Sequence, residues 1–401
     1  MAVSARTRSR WARLAPLAAA TVASQATIVA LAPILAEVAR EFGTSVGTVG
    51  LARSVLAVAA AGTSLPVATA GGRFGPARLI AAGGACGLIA CLLIASAQSL
   101  TAFLLAHVVA GVAVACLLSA GFAGASAFFS GRDVAWALGF VVGAQSLAWI
   151  VGNPIIGLLT EAISWRAAYA VPATAALVAL VAGLLAPKAS QRGAGRSGLG
   201  ALAAIWRNPG ARRWTVAELT AFAAWTAELT YAGAFYVETY GIPAGQVGLL
   251  LACGSTVYLI VSAATGRHLS NGRARRYAVA AALGMGVAFV PLLNLTPSVA
   301  FTLAAFCITA LFAALRSTAS SVLAIGQIPD GESTMMAART AAAQLGYVVG
   351  AAFGGAVITA RGFGALGFLL AAGMLLSAVL MRPVPATGLR RREPWPLPEG
   401  S

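Results

Sequence analysis

The chain alternates long apolar stretches with short polar gaps. About 20 helical residues cross a ~30 Å hydrocarbon core. Stretches of that kind occupy 14–36, 46–70, 77–98, 100–129, 134–160, 166–186, 214–237, 246–266, 276–295, 298–326, 336–360 and 363–381. The gaps are short except after the sixth run, where 187–213 is rich in Gly, Ser and Arg, the composition of a linker. The pattern predicts an all-α polytopic membrane protein with twelve transmembrane helices in two six-helix bundles. The N-terminal bundle is expected over 1–186, a linker over 187–213, the C-terminal bundle over 214–382 and a disordered tail over 383–401.

Two runs carry unusual punctuation. In the fifth, Gly152-Asn153-Pro154 interrupts the apolar phase, which resumes through Gly157. Proline removes a backbone donor and crowds the preceding turn, so a kink is expected near Pro154. Upstream, Gly139 and Gly143 are spaced to let another backbone approach. In the eleventh run Gly346, Gly350 and Gly354 repeat that spacing. Glycine-striped helices in corresponding places of two halves predict a seam between them. The halves also echo each other: FGTSVGTVGL over 42–51 matches YGIPAGQVGL over 240–249, and GPAR over 75–78 matches GRAR over 272–275. Parallel repeats about an axis along the membrane normal are an architecture of secondary transporters.

Composition agrees. Of 401 residues, 59% are hydrophobic and 9% charged, with a mean hydropathy of +0.86, more apolar surface than a soluble fold can hide. The net charge of +16 would suit a nucleic-acid binder, but the basic residues fill short loops and tails. One side gathers Arg6, Arg8, Arg10, Arg13, Arg73, Arg78, Arg132, Lys188, Arg207, Arg212, Arg213, Arg273, Arg275, Arg276, Arg339 and Arg382, and the other has Arg40, Arg166 and Arg361. Positive residues mark the cytoplasmic face, so both termini are expected inside a plasma (inner) membrane, with the lipid bilayer and no nucleic acid as partner. Arg6 to Arg13 followed by an apolar run has the charge pattern of a signal peptide, yet the run is long enough to span and reads as a retained first helix. The five cysteines sit singly in apolar runs, with no metal or disulfide spacing.

Leu31-Ala32-Pro33-Ile34 and then Phe42-Gly43-Thr44-Ser45, the stretch SLAWIVGNPIIG over 146–157 followed by Trp165-Arg166, GRFGPAR over 72–78, and LGYVVGAAFGGAVI over 345–358 together resemble the major facilitator superfamily along nearly the whole chain. They are most similar to its twelve-helix drug:proton antiporter branch, including bacterial sugar-efflux and chloramphenicol-resistance-type exporters. The resemblance assigns Gly143, Gly152, Asn153, Pro154 and Gly157 to that branch's fifth-helix motif, Gly72, Arg73, Gly75 and Arg78 to a remnant of the signature loop, and Gly346, Gly350 and Gly354 to the eleventh-helix seam. Where the family keeps an aspartate in the signature loop, this chain has Gly72, and Ser270 in the second half; Gln25 stands where the branch often has an acid in helix one, and His107 where it often has an arginine in helix four. The family is usually monomeric, which implies a monomer here.

A charge inside a span is costly, which makes each such residue a functional candidate. Glu228 lies deep in the seventh run. A carboxyl in apolar surroundings can load and unload a proton near neutral pH, so Glu228 reads as a proton carrier, a counter-ion for a cationic substrate, or a structural partner of a polar neighbour. Trp225, one turn back, either stacks on substrate or packs. Arg316 in the tenth run either holds an anion, answers Glu228, or snorkels to the interface. His107 either pairs with Glu228 as a titratable switch or bonds a backbone carbonyl. Gln25, Gln145, Asn153 and Gln344 either touch substrate or tie helices together. Arg53 reads as interfacial, Glu218 as reaching water or Arg212 and Arg213, and Glu37, Arg40 and Glu41 as a solvated loop, with Arg166 anchoring the sixth helix.

Two histidines, no HExxH and no phosphate loop leave no catalytic, metal or nucleotide site, so neither an enzyme nor a cofactor is expected. The reading is a secondary transporter of a small-molecule substrate working by alternating access. The resemblance implies export of an amphipathic drug, sugar or metabolite driven by the proton gradient. An uptake carrier or facilitator and a non-transporting membrane sensor are the alternatives.

Overall fold

Proline and glycine set where the apolar runs begin and end as helices. The computed structural model describes residues 2–130, 132–187, 199–269, 271–325, 327–328 and 332–385. The described residues form α1 (Ala2–Val29), α2 (Leu31–Glu41), α3 (Val46–Phe74), α4 (Pro76–Ala95), α5 (Leu100–Phe128), α6 (Arg132–Ala162), α7 (Trp165–Ala168), α8 (Ala170–Leu185), α9 (Leu199–Arg207), α10 (Pro209–Tyr240), α11 (Ala244–His268), α12 (Asn271–Asn294), α13 (Val299–Ile325) and α14 (Glu332–Met381). The first run divides at Ala30 because Pro33 has no N–H for the carbonyl of Val29, and the sixth divides at Tyr169 by the same logic, three residues before Pro172. Between α3 and α4 the chain turns at Gly75, whose φ of 81° a side chain would resist, and Pro76 then opens α4. Gly362, with φ 78° and ψ 179°, splits α14 into the eleventh and twelfth spans. α6 is one continuous helix through Pro154.

Ten stretches among the described residues are long and apolar enough to cross a membrane, the last being the whole of 334–381. Division of that stretch at Gly362 and the addition of α10, whose hydropathy Glu218, Glu228 and Glu238 depress, give the twelve spans of the sequence pattern. The linker region differs from expectation. It carries α9, and α10 starts at Pro209, where the Asn208 side chain accepts the N–H groups of Gly210 and Ala211 at 2.9 and 3.1 Å. Residues 188–198, Ser270 and the tail beyond 385 lie outside the described residues.

The core is arranged unevenly along the membrane normal. At the end opposite the chain termini, one contiguous core draws Leu35, Val49, Phe103 and Trp165 together with Tyr231, Phe235, Val247 and Phe289. At the end bearing the termini the two bundles keep separate cores. Leu14, Leu17, Ile80, Leu117 and Phe128 form one; Ile205, Trp214, Ala278, Leu323 and Met381 form the other. The bundles are thus fused at the far end and parted at the near end.

Candidate functional site

Glycines make the fused end possible. A Cβ at Gly233 on α10 would collide with the carbonyl oxygen of Ala32 on α2, at Gly47 on α3 with that of Gly355 on α14, at Gly157 on α6 with that of Ala244, and at Gly248 on α11 with that of Asn153. These four positions bring backbone against backbone across the bundles. Polar bonds finish the seam: Ser45 Oγ to Thr359 Oγ1 at 2.9 Å, the Ser54 hydroxyl to the Val348 carbonyl at 2.9 Å, and the Gly245 N–H to Glu161 Oε2 at 3.0 Å, while the Tyr231 hydroxyl, bonded to the Ala351 carbonyl of its own bundle at 2.6 Å, lies 3.4 Å from the Gly47 carbonyl across the seam. The sequence echo acquires a reason here, because Gly47 and Gly50 face α14 and Tyr231 while their counterparts Gly245 and Gly248 face α6.

Two stripes fall elsewhere than expected. Gly346, Gly350 and Gly354 pack against Phe222, Ala223, Thr226, Ala227 and Tyr231 of α10, inside their own bundle, so the seam glycine of the eleventh span is Gly355. Gly139 and Gly143 have open space where a Cβ would stand, so no neighbouring backbone presses on them. Gly152, Asn153 and Gly157 do meet neighbours, and the Gly152 position rests on Val29. Of the signature-loop remnant, Gly75 makes the turn and Arg78 is exposed; the side chain of Arg73 and the surroundings of Gly72 lie outside the described residues.

The buried polar groups sort into three places. Near the parted end Glu218 is fully buried and accepts from Arg316 at 2.6 Å and from the Ser320 hydroxyl, while Arg339 stands 3.8 Å away. Arg316 also donates to the Ala217 carbonyl at 3.3 Å. This corrects two expectations: Arg316 neither snorkels nor answers Glu228, and Glu218 does not reach water. α10 starts five residues before the apolar run that marks it, which places Glu218 well inside the helix.

Glu228 occupies the interior of the C-terminal bundle. Its Oε1 accepts from the Thr309 hydroxyl at 2.7 Å, and its Oε2 has no partner. It borders a void of about 10 Å³, room for about one water, walled by Tyr231, Phe235, Tyr236, Leu292, Phe306 and Phe363. His107 is held apart from it: Nδ1 donates to the Phe103 carbonyl at 2.7 Å and Nε2 faces the Tyr169 hydroxyl at 3.5 Å. The structure does not bring His107 and Glu228 together. Trp225 stacks on Tyr258 with centroids 6.1 Å apart, and Gln25 accepts from the Trp149 indole at 2.9 Å, tying α1 to α6.

The third place departs from the interfacial position expected of it. Arg53 on α3 is 2% exposed, not interfacial, and none of its three guanidinium nitrogens has a hydrogen-bond partner. Its Cζ lies 5.7 Å from the ring centroid of Tyr347 on α14, across the seam. At the far end of α2, Arg40 and Glu41 are exposed as expected and Arg40 pairs with Glu37, but Glu41 also accepts from the Trp165 indole at 2.5 Å and from Arg166 at 2.7 Å, and Arg166 donates to the Ala97 carbonyl at 2.8 Å, which binds three far-end segments together.

A family model described as Major Facilitator Superfamily matches residues 17–323 and 220–399. No curated protein matches the chain. Among solved structures, the fold is similar to that of a bacterial homologue of the human lysosomal transporter Spinster in an inward-facing, unoccupied conformation, with a TM-score of 0.72, 15% identity, and coverage of 93% of this chain and 95% of that one. It is also similar to a mutant of the nucleoside transporter NupG, with a TM-score of 0.76, 13% identity, and coverage of 92% and 98%.

Proposed function

Since the chain belongs to the major facilitator superfamily, we propose that it is a secondary transporter that moves a small amphipathic molecule by alternating access, exporting it in exchange for protons. The observation that carries the reading is the uneven core, one cluster spanning both bundles at the far end and, at the near end, only clusters confined to one bundle or the other. A pair of bundles closed at one end and parted at the other is one half of an alternating-access cycle. Closure at the near end would bring the two separate cores together, while the glycine contacts at the far end part. In this reading the protein works as a monomer in the plasma (inner) membrane with both termini in the cytoplasm, so the parted end faces inward.

Glu228 is the proton-binding group of the proposal. Its unpartnered Oε2 leaves one carboxyl oxygen free for a proton, and its helix α10 carries Tyr231 and Gly233 into the seam. Because Glu228 lies inside the C-terminal bundle, it acts on the seam through α10 rather than by touching the cargo. The test is dye and drug accumulation in cells expressing wild type or Glu228→Gln, with and without a protonophore. Wild type is expected to lower accumulation, and either the substitution or the protonophore to erase the difference. Unchanged driven flux in Glu228→Gln removes Glu228 from the mechanism. A facilitator is the second reading, favoured by Gln25 and Gly72 at places the family keeps acidic; it predicts flux that the protonophore leaves unaltered.

A further inference from the structure

We propose that Arg53 is the binding site for an oxyanion group on the transported molecule, a reading that rests on the transport function above. Arg53 and Arg316 are the two cations under a tenth exposed among the described residues, and Arg316 has Glu218. Arg53 has no carboxylate. A guanidinium stays protonated at any accessible pH, presents five donors and accepts nothing. Sealed in a membrane protein with all three nitrogens unpartnered, it is a costly arrangement that a bound anion would relieve.

Its neighbours do not supply that anion. Tyr347 offers a ring face, which compensates a cation only in part. Tyr169, Tyr231 and His107 lie within electrostatic reach, but the Tyr231 hydroxyl is committed to Ala351 and His107 Nδ1 to Phe103. The adjacent Ser54 hydroxyl is given to Val348.

Position adds a second argument. The contacts of α3 with the opposite bundle run from Ser45 through Gly47 and Gly50 to Ser54 and Arg53. Further along α3, Val58 is 56% exposed and Gly62 has open space around it. Arg53 therefore sits where the fused seam gives way to the parted bundles, at the head of the path a cargo would take. Its partner ring belongs to the other bundle, so an anion entering the fork would loosen a contact that spans the seam. The aromatic surroundings favour an anionic head on a flat or aliphatic body, and the single unbalanced cation favours one negative charge. Planar oxyanions match the guanidinium fork with two parallel bonds.

The test uses the full chain, purified, with benzoate, octanoate and benzenesulfonate as probes and benzamide and octanamide as their neutral counterparts. Thermal unfolding against probe concentration gives each dissociation constant. At least one of the acids is expected to stabilise wild type while its amide does not. Arg53→Gln is expected to weaken that acid at least ~30-fold, the low end of what removal of one partner from a buried charged pair costs. Arg53→Lys keeps the charge without the fork and should fall between. If Arg53→Gln does not fold, the contrast of acid with amide on wild type still decides. Equal binding of acids and amides, no binding of any acid, or unchanged binding in a folded Arg53→Gln each overturns the site. Acid binding without flux in vesicles would overturn transport and keep the site; flux without acid selectivity would do the reverse.

Discussion

Gly233→Ala tests the seam with a single methyl. In the fused-end state that methyl would press into the carbonyl of Ala32, with the Ala32 carbonyl carbon at 2.9 Å and a Val247 methyl at 3.4 Å. The obstacle is the backbone of the first turn of α2, so no side chain can rotate away. Overpacking of this kind costs about 1–3 kcal/mol. The cost applies only while the far end is closed, and the gain in helix propensity from Gly to Ala applies in both states and cancels. The balance should therefore move toward the far-end-open state by roughly 5- to 150-fold. Ser45→Cys, beside Thr359 at the far end, reports this in a background without the native cysteines. Its rate of labelling by a membrane-impermeant maleimide should rise by the same factor when Gly233→Ala is added. Gly143→Ala is the control, since a Cβ there meets nothing within 4 Å. Labelling that Gly233→Ala leaves unchanged, or that Gly143→Ala raises equally, would refute the assignment of the seam.

Two further predictions concern stability. Glu218→Ala strands Arg316 in the interior and should cost about 3–5 kcal/mol, read as a fall in melting temperature, whereas Glu218→Ala with Arg316→Met should recover part of the loss. Gln25→Leu and Trp149→Phe each break the one bond between them and should cost about 1 kcal/mol; their double variant should cost less than the sum, and full additivity would show that the bond contributes nothing.

Most of the fold was legible in the sequence because spanning a bilayer demands long apolar runs, and those runs became helices with ends shifted by a few residues. The larger shift, at the start of α10, followed from counting apolar residues: the helix begins at Pro209 with a polar cap the hydropathy does not register. That shift moved Glu218 from the interface to the interior. The azimuth of a side chain was not legible. Arg53 reads as interfacial from its place in the second run, because nothing in one chain says that this face of α3 turns toward Tyr347. The same gap explains the stripe of Gly346, Gly350 and Gly354, which lies on the face toward α10. The echo of Gly47 and Gly50 in Gly245 and Gly248 is the sequence signal that falls on the seam.

The backbone character of the seam separates two tasks within one chain. Each carbonyl facing a seam glycine sits in a helix, where it already accepts an N–H, so parting those four backbone contacts leaves no carbonyl unsatisfied, and only the few bonds at Ser45, Ser54 and Gly245 must be exchanged for water. In the proposed cycle the bearing on which the halves turn is therefore built mainly from backbone, which carries no information about the cargo. Side chains facing the cleft can change without altering how the halves come apart, and the four glycines can remain fixed while the cargo changes. Among related chains, variation should gather around the cleft and be sparse at positions 47, 157, 233 and 248.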